Sequence, residues 1–272
     1  MIKRSFSNFL LGFLILISVG SYAQEMEFGA MAGGTYYMGE LNPGKQFLFT
    51  KPAFGGLVRL NLDTRWSFRL HFLHGTIAGD DAVSLANETR NLRFRSSINE
   101  ISIIGEFNFF DYFIGSKNNF FTPFLFAGPG YFTFNPKAPF GGDYIELRGL
   151  GTEGVIDNYK LYGFAAVFGF GFRYSLTNRI GLGFEWGMRK TFTDYLDDVS
   201  EQYYIDFNAL PNPNEIGAPE YLSDPSSVKH APGMQRGNPQ NNDWYSFAGL
   251  TISYRFRLGE KTTCRDFENS NN

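Results

Sequence analysis

The stretch IGLGFEWGMR, residues 180–189, decides the predicted fold. Its even-numbered positions are all large and apolar, whereas its odd-numbered positions hold glycine, glutamate or arginine. Side chains that alternate with period two lie on opposite faces of a β-strand. The stretch therefore predicts a strand with one strongly apolar face.

The same alternation recurs along the chain and predicts an antiparallel all-β fold of eight strands. The other seven segments are Phe28–Met38, Phe54–Leu62, Trp66–Phe72, Glu100–Phe109, Phe121–Phe134, Tyr162–Tyr174 and Gly249–Phe256. Pro123 and Pro129 interrupt one of them, and proline cannot donate to a strand ladder. We therefore expect bulges at these two positions.

The second face of these strands carries glycine and charges of both signs. The charged positions are Arg59, Arg69, Glu100, Glu106, Arg173, Glu185, Arg189 and Arg255. Small residues and complementary charges suit the interior of a narrow barrel, where buried charges must pair. We predict a lumen charge network that includes Arg59, Arg69, Glu100, Glu106, Glu185 and Arg189, and a lipid-facing aromatic exterior. A soluble lipocalin-like barrel, with the two faces inverted, is the alternative.

Composition agrees with a membrane barrel. Aromatic residues make up 18% of the 272 residues, charged residues only 19%, and the mean hydropathy is −0.22. These values argue against a helical membrane protein, since no later segment has the roughly 20 apolar residues of a spanning helix. The formal net charge of −3 gives no electrostatic reason to expect nucleic acid as a partner.

The N-terminus resembles a secretory signal. Lys3 and Arg4 precede a short apolar run, Phe9–Val19, and Ser21-Tyr22-Ala23 provides small residues for cleavage before Gln24. We predict a cleaved signal peptide at residues 1–23, export through the Sec pathway, a barrel at residues 24–257 and a periplasmic tail at residues 258–272.

The connections between predicted strands alternate in length. Long connections fall near residues 39–51, 80–93, 135–158 and 193–243, and the opposite ones near 63–64, 110–120 and 176–178. Long loops at one end and short turns at the other are typical of outer-membrane barrels, whose long loops are extracellular. An eight-stranded barrel is only wide enough to hold side chains, so the pattern argues against a pore.

Two groups of residues raise the question of chemistry. His71, Ser102 and Glu100 are expected in the lumen, where a hydrolase site competes with a hydrogen-bonded network without access to substrate. Thr193, Asp194, Tyr195, Asp197 and Asp198 form an acidic motif loop, but the run lacks the spacing of a calcium-binding EF-hand loop, and a capped turn is favoured. We predict a non-enzymatic protein without catalytic residues, cofactor, metal site or small-molecule substrate.

Several longer motifs resemble the PorG-like family, outer-membrane barrels of the type IX secretion system of Bacteroidota. They are GGTYYMGELNPG (33–44), RNLRFRSSINEISIIGEFNF (90–109), TPFLFAGPGYFTFNP (122–136), GTEG (151–154), RKTFTDYLDDVS (189–200), LSDPSS (222–227) and DWYSFAGLTISYRF (243–256). The resemblance implies that the barrel is a docking element and not a conduit. It would hold the periplasmic ring, which consists of a lipoprotein and its partner protein, against the outer membrane.

The resemblance also suggests a use for Cys264, the chain's one cysteine. On a periplasmic tail it would be able to form a disulfide with the ring lipoprotein, because that compartment is oxidising. A free thiol is the alternative. For the whole protein, the alternative function is a stand-alone outer-membrane barrel that acts as an adhesin or envelope stabiliser.

Overall fold

The computed structural model describes residues 25–85, 87, 89–154, 159–206 and 217–257. The strands are β1 (Glu25–Met38), β2 (Lys51–Asn61), β3 (Trp66–Asp80), β4 (Arg93–Asn108), β5 (Phe121–Phe140), β6 (Asp143–Glu146), β7 (Tyr162–Ser175), β8 (Ile180–Thr191) and β9 (Trp244–Arg257). Two short helices, α1 (Asp81–Ser84) and α2 (Ala218–Ser223), and a 3-10 turn at Arg148–Leu150 lie in the connections.

Eight of these strands close into an antiparallel barrel, as the sequence predicts. Each pairs with the next barrel strand along the chain, and β1 pairs with β9 to close the circle. Among the described strands, the short β6 pairs with the end of β5 alone, at Lys137–Phe140. Because the circle is complete, the barrel wall has no unpaired edge along which another strand could add.

The two faces of the wall are divided as the alternation predicts. Large apolar side chains on the outside are solvent-exposed, and the charged positions point into the lumen and are buried. The exposed set includes Phe28, Phe54, Phe68, Leu70, Phe72, Ile101, Ile103, Phe164, Phe168, Phe170, Phe172, Leu182, Phe184, Leu250 and Ile252. A continuous apolar exterior around a polar interior is the arrangement of a membrane-spanning barrel, and it is incompatible with the soluble lipocalin-like alternative.

β5 departs from the expected division, because several of its rings point inward. Phe124, Phe126, Phe132 and Phe134 are buried in the lumen. They occupy the space left by glycines on neighbouring strands: a Cβ at Gly171 would lie 2.6 Å from the Phe124 ring. Glycine in β7 and β8 thus makes room for the phenylalanines of β5.

The bulges expected at Pro123 and Pro129 are absent from the described strand, and that expectation was wrong. β5 keeps one register with β7 from Phe121 opposite Tyr174 to Thr133 opposite Tyr162. Its register with β4 is also the same on both sides of Pro129, where pairing lapses only locally. Both prolines point outward, and β5 continues to Phe140 rather than ending near Phe134.

The two ends of the barrel differ. Residues 62–65, 109–120 and 176–179 form the short-turn end, and the described residues within 39–50, 81–92, 141–161 and 192–243 form the opposite end, here called the cap. No helix within the described ranges is both long enough and apolar enough to cross a membrane.

Candidate functional site

Ion pairs fill the lumen in successive layers. Near the short-turn end, the carboxylate of Glu106 accepts a hydrogen bond from Arg59 at 2.7 Å. The same carboxylate forms ion pairs with Arg69, at 3.2 Å, and with Arg173. All six residues of the predicted charge network are buried and paired. Further from the short-turn end, Arg69 forms an ion pair with Glu185, and Arg189 forms one with Glu100. Glu25 and Glu27, which the sequence analysis did not select, complete the network as partners of Arg255 and Arg59.

The inward rings of β5 belong to the same network. The guanidinium of Arg173 lies 4.1 Å from the centre of the Phe124 ring, and that of Arg69 lies 5.3 Å from the Phe126 ring. A cation over an aromatic face is stabilised by the ring quadrupole, and more so away from water. This contact explains why phenylalanine occupies a lumen of charged residues.

Little open space remains in the lumen near the short-turn end. The cavity bordered by Glu27, Arg59 and Tyr112 measures about 10 Å³, which is about the volume that one water molecule requires. The 109–120 turn closes this end, where Tyr112, Phe113 and Ile114 are buried. The described barrel is therefore a plugged cylinder and not an open channel.

His71, Ser102 and Glu100 do meet in the lumen, but not as a hydrolase would require. Nδ1 of His71 lies 3.2 Å from the Ser102 hydroxyl, which itself donates to Glu100 at 3.0 Å. The same Nδ1 lies 3.6 Å from Glu100, whereas a catalytic histidine contacts serine and acid through opposite nitrogens. Glu100 also binds Arg189 and the Tyr245 hydroxyl, so the group is a buried structural network.

We predict that the His71→Ala protein still assembles into the membrane and causes no loss of an envelope hydrolytic activity. His71 contributes hydrogen bonds to a buried cluster, so its loss should reduce stability by about 1–3 kcal/mol without preventing assembly. Heat-modifiability on gels measures assembly, with Ser102→Ala as the matched variant. Loss of an envelope hydrolytic activity in correctly assembled His71→Ala protein would contradict a non-enzymatic barrel.

The predicted motif loop lies in the cap and packs down onto the barrel mouth. Leu196 and Val199 are buried against Tyr37, Phe94 and other rings of the upper lumen. Tyr195 stacks on Tyr159 with ring centres 4.5 Å apart. Together these contacts form an apolar lid over the ionic layers.

The carboxylates of this loop have different partners. Asp198 accepts hydrogen bonds from the hydroxyls of Tyr159, at 2.6 Å, and Thr152. Asp197 accepts the backbone N–H of Val199 at 3.0 Å, which is the turn-capping role that the sequence favours. Thr193 donates no side-chain hydrogen bond among the described contacts, but its hydroxyl accepts the N–H of Tyr195 at 3.3 Å.

The GTEG motif fastens the motif loop to the rest of the cap. One oxygen of Glu153 accepts the backbone N–H groups of Ser200 and Glu201, at 2.9 and 3.0 Å. The same oxygen pairs with Arg236 at 2.9 Å, and Arg236 also donates to the Asp198 carbonyl at 2.6 Å. The described part of the 192–243 connection therefore folds over the barrel mouth.

An acidic cluster that sequence spacing did not indicate lies at the edge of the cap. One carboxylate oxygen each from Glu40, Asp194 and Asp243 lie within 4.8 Å of one another. Burial, with the nearby Asp194 carboxylate, raises the pKa of Glu40 to about 7. Burial and the carboxylate of Asp197 raise the pKa of Asp194 to about 7, and burial raises that of Asp243 well above its usual range. Of these residues only Asp194 belongs to the motif loop, because the other two follow β1 and precede β9.

Cys264, the signal peptide at residues 1–23 and the tail at residues 258–272 lie outside the described residues. The chain leaves β9 at Arg257, which pairs with Glu25 at the short-turn end of the barrel.

An apolar exterior, a filled ionic lumen and long connections at one end define a small β-barrel of the outer-membrane type. The chain belongs to the family described as Domain of unknown function (DUF6089), which it matches over residues 4–211. No curated protein matches the sequence significantly.

Several solved outer-membrane barrels are similar to this chain. Ail, the attachment invasion locus protein of Yersinia pestis, is 8% identical, with a TM-score of 0.43 over 86% of this chain and 100% of that chain. The N-terminal barrel domain of Pseudomonas aeruginosa OprF is 13% identical, with a TM-score of 0.37 over 85% and 97% of the two chains. Neisserial surface protein A is 9% identical, with a TM-score of 0.39 over 87% and 99%.

Proposed function

We propose that this protein is a non-enzymatic outer-membrane component of the type IX secretion system that anchors the periplasmic ring complex. The observation that supports an anchor is the filled cross-section, with ion pairs through the lumen and the folded cap above. A barrel of this kind acts through its surfaces and its position in the membrane. The resemblance of several motifs to the PorG-like family supports the choice of secretion system.

In this proposal the short-turn end faces the periplasm and the cap faces outward. The turns at 62–65, 109–120 and 176–179 and the exit of the chain at Arg257 are then available to the ring lipoprotein and its partner. Phe110 and Phe120 are exposed within the 109–120 turn, where aromatic side chains suit a membrane interface or a partner.

Affinity purification from envelopes in mild detergent tests the proposal. The full chain should recover the ring lipoprotein and its partner, and a chain truncated after Arg257 should recover less of both. Val228→Ser, at a position 79% exposed in the cap, is the matched control and should recover them fully. Recovery of no ring component by the full chain would contradict docking and favour an adhesin or envelope stabiliser.

The proposed disulfide of Cys264 has a separate measurement. Non-reducing electrophoresis of envelope fractions should show a band heavier than the monomer that disappears on reduction and in Cys264→Ser. A band that remains at monomer mass would rule out the covalent link, while docking through noncovalent contacts would still be tested by the purification above.

A further inference from the structure

The carboxylates of Glu40, Asp194 and Asp243 converge from three places in the chain. Glu40 follows β1, Asp194 lies just after β8, and Asp243 immediately precedes β9. Their facing oxygens lie within 4.8 Å of one another. Oxygens bound to one Ca²⁺ at about 2.3–2.6 Å lie at most about 5 Å apart, so this spacing fits one shared ion.

The carboxylate of Asp194 forms no hydrogen bond of normal geometry through either oxygen, although the residue is only 6% exposed and the Ser200 side chain lies near enough to lower its pKa. Both oxygens of the half-buried Glu40 also form no hydrogen bond of normal geometry, although the backbone N–H groups of Glu40 and Asn238 lie near enough to lower its pKa. Buried polar atoms are almost always satisfied, and a buried carboxylate without donor or counter-ion is strongly unfavourable. The unsatisfied carboxylates of Glu40 and Asp194, each with one oxygen close to the other and to Asp243, therefore point to a cationic ligand.

Arg90 and Arg236, two arginines buried in the cap, are engaged elsewhere. Arg90 holds Asp81 through two contacts of 2.7 and 2.8 Å, and donates to Glu40 only at its backbone carbonyl. Arg236 is paired with Glu153. Among the described residues, no lysine, arginine or histidine forms an ion pair with Glu40, Asp194 or Asp243.

One nearby hydroxyl supplies too few protons. The Tyr37 hydroxyl lies 2.6 Å from a carboxylate oxygen of Asp197 and 2.8 Å from one of Asp243. It has a single hydrogen, so it can donate to only one of these two acceptors at a time. The other oxygen of Asp243 accepts the backbone N–H of Leu196 at 2.9 Å, so Asp243 is hydrogen-bonded but has no positively charged partner among the described residues.

We propose that Glu40, Asp194 and Asp243 bind a calcium ion that joins the ends of the first and last cap connections. Ligands that are all carboxylate oxygens select a hard cation, and Ca²⁺ accepts irregular oxygen sets more readily than Mg²⁺. Glu40 also borders an open cleft of about 560 Å³ with Gly39, Asn238 and Trp244, which gives an ion a route from solvent. This inference is independent of the secretion role.

Calcium titration of the full chain in detergent micelles, after removal of metal with a chelator, tests the proposal. Calorimetry should show one saturable site, and the thermal midpoint should rise with Ca²⁺. Asp194→Asn should weaken calcium binding by at least about tenfold, because it removes a charged ligand of similar shape. Without calcium, this variant should be at least as stable as the natural chain, since the repulsion between carboxylates is reduced.

Glu201→Gln is the matched control, because Glu201 lies in the same connection with an exposed side chain. Its calcium affinity should equal that of the natural chain. Absence of calcium binding up to about 10 mM, well beyond the range of extracellular sites, would overturn the proposal, as would unchanged binding in Asp194→Asn. Equal affinity for Mg²⁺ would overturn the assignment to calcium.

Discussion

Replacing Glu106 with alanine is expected to lower the free energy of unfolding of the barrel by about 3–5 kcal/mol. Glu106 is buried, and its carboxylate pairs with three guanidinium groups, those of Arg59, Arg69 and Arg173. Removing one partner of a buried ion pair leaves an uncompensated charge in a medium of low dielectric constant. Denaturant titration in lipid vesicles or detergent measures the loss.

The three arginines are not equally affected by this change. Arg59 keeps its ion pair with Glu27 and Arg69 keeps its ion pair with Glu185. Among the described residues, Arg173 would keep no ion pair, and its contacts would be the Asn108 side chain and the Phe124 ring. Adding Arg173→Met to Glu106→Ala should therefore recover part of the lost stability. A double-mutant cycle isolates this coupling from the effects of the single changes.

Asp111→Ala is the control for the lumen prediction. Asp111 pairs with Arg65 at 2.8 Å, but both side chains are about half exposed at the short-turn end. Exposed ion pairs contribute between about 0 and 1 kcal/mol. If Glu106→Ala lowers the free energy of unfolding no more than Asp111→Ala does, water must screen the charges of the lumen. That result would contradict a plugged interior.

Phe170→Arg is expected to lower the free energy of unfolding in lipid by about 2–4 kcal/mol. Phe170 lies near the middle of β7 and faces outward, with its ring 5.4 Å from that of Trp186. In a membrane-spanning barrel this position is surrounded by hydrocarbon, where a guanidinium loses its hydration. Denaturant titration in lipid vesicles measures the cost.

Tyr174→Arg is the matched control for the depth of the substituted position in the bilayer. Tyr174 has the same outward direction on the same strand, but lies at its short-turn end. Near an interface the expected cost of arginine falls to about 0–1 kcal/mol. Equal costs at the two positions would mean that the outer face of β7 is not crossed by a bilayer.

Much of the fold followed from local pattern. The alternation around Leu182, Phe184 and Trp186 is visible without any partner strand, because successive side chains of a strand always point to opposite faces. The same rule gave the eight barrel strands and the burial of the charged face, including Arg69 and Glu106. It did not give Glu25 and Glu27, which lie at the start of β1, before the segment in which alternation was recognised.

Local pattern was less informative for β5. When large residues occupy both faces of a strand, its sequence does not indicate which face points into the lumen. Phe124 and Phe126 point inward because glycines on β7 and β8 leave space there. The prolines of this strand suggested bulges for a local reason, the missing N–H. The neighbouring strands nevertheless keep one register through Pro129.

The sequence by itself determined the strands, the two faces of each strand and the alternation of long and short connections, since these depend on neighbours a few residues apart. Only the tertiary structure decided the pairing of Glu106 with three arginines and the meeting of Glu40, Asp194 and Asp243. Barrel closure brings β1 beside β9, and so places carboxylate oxygens from opposite ends of the chain within 4.8 Å of one another. No spacing within a single segment records that proximity.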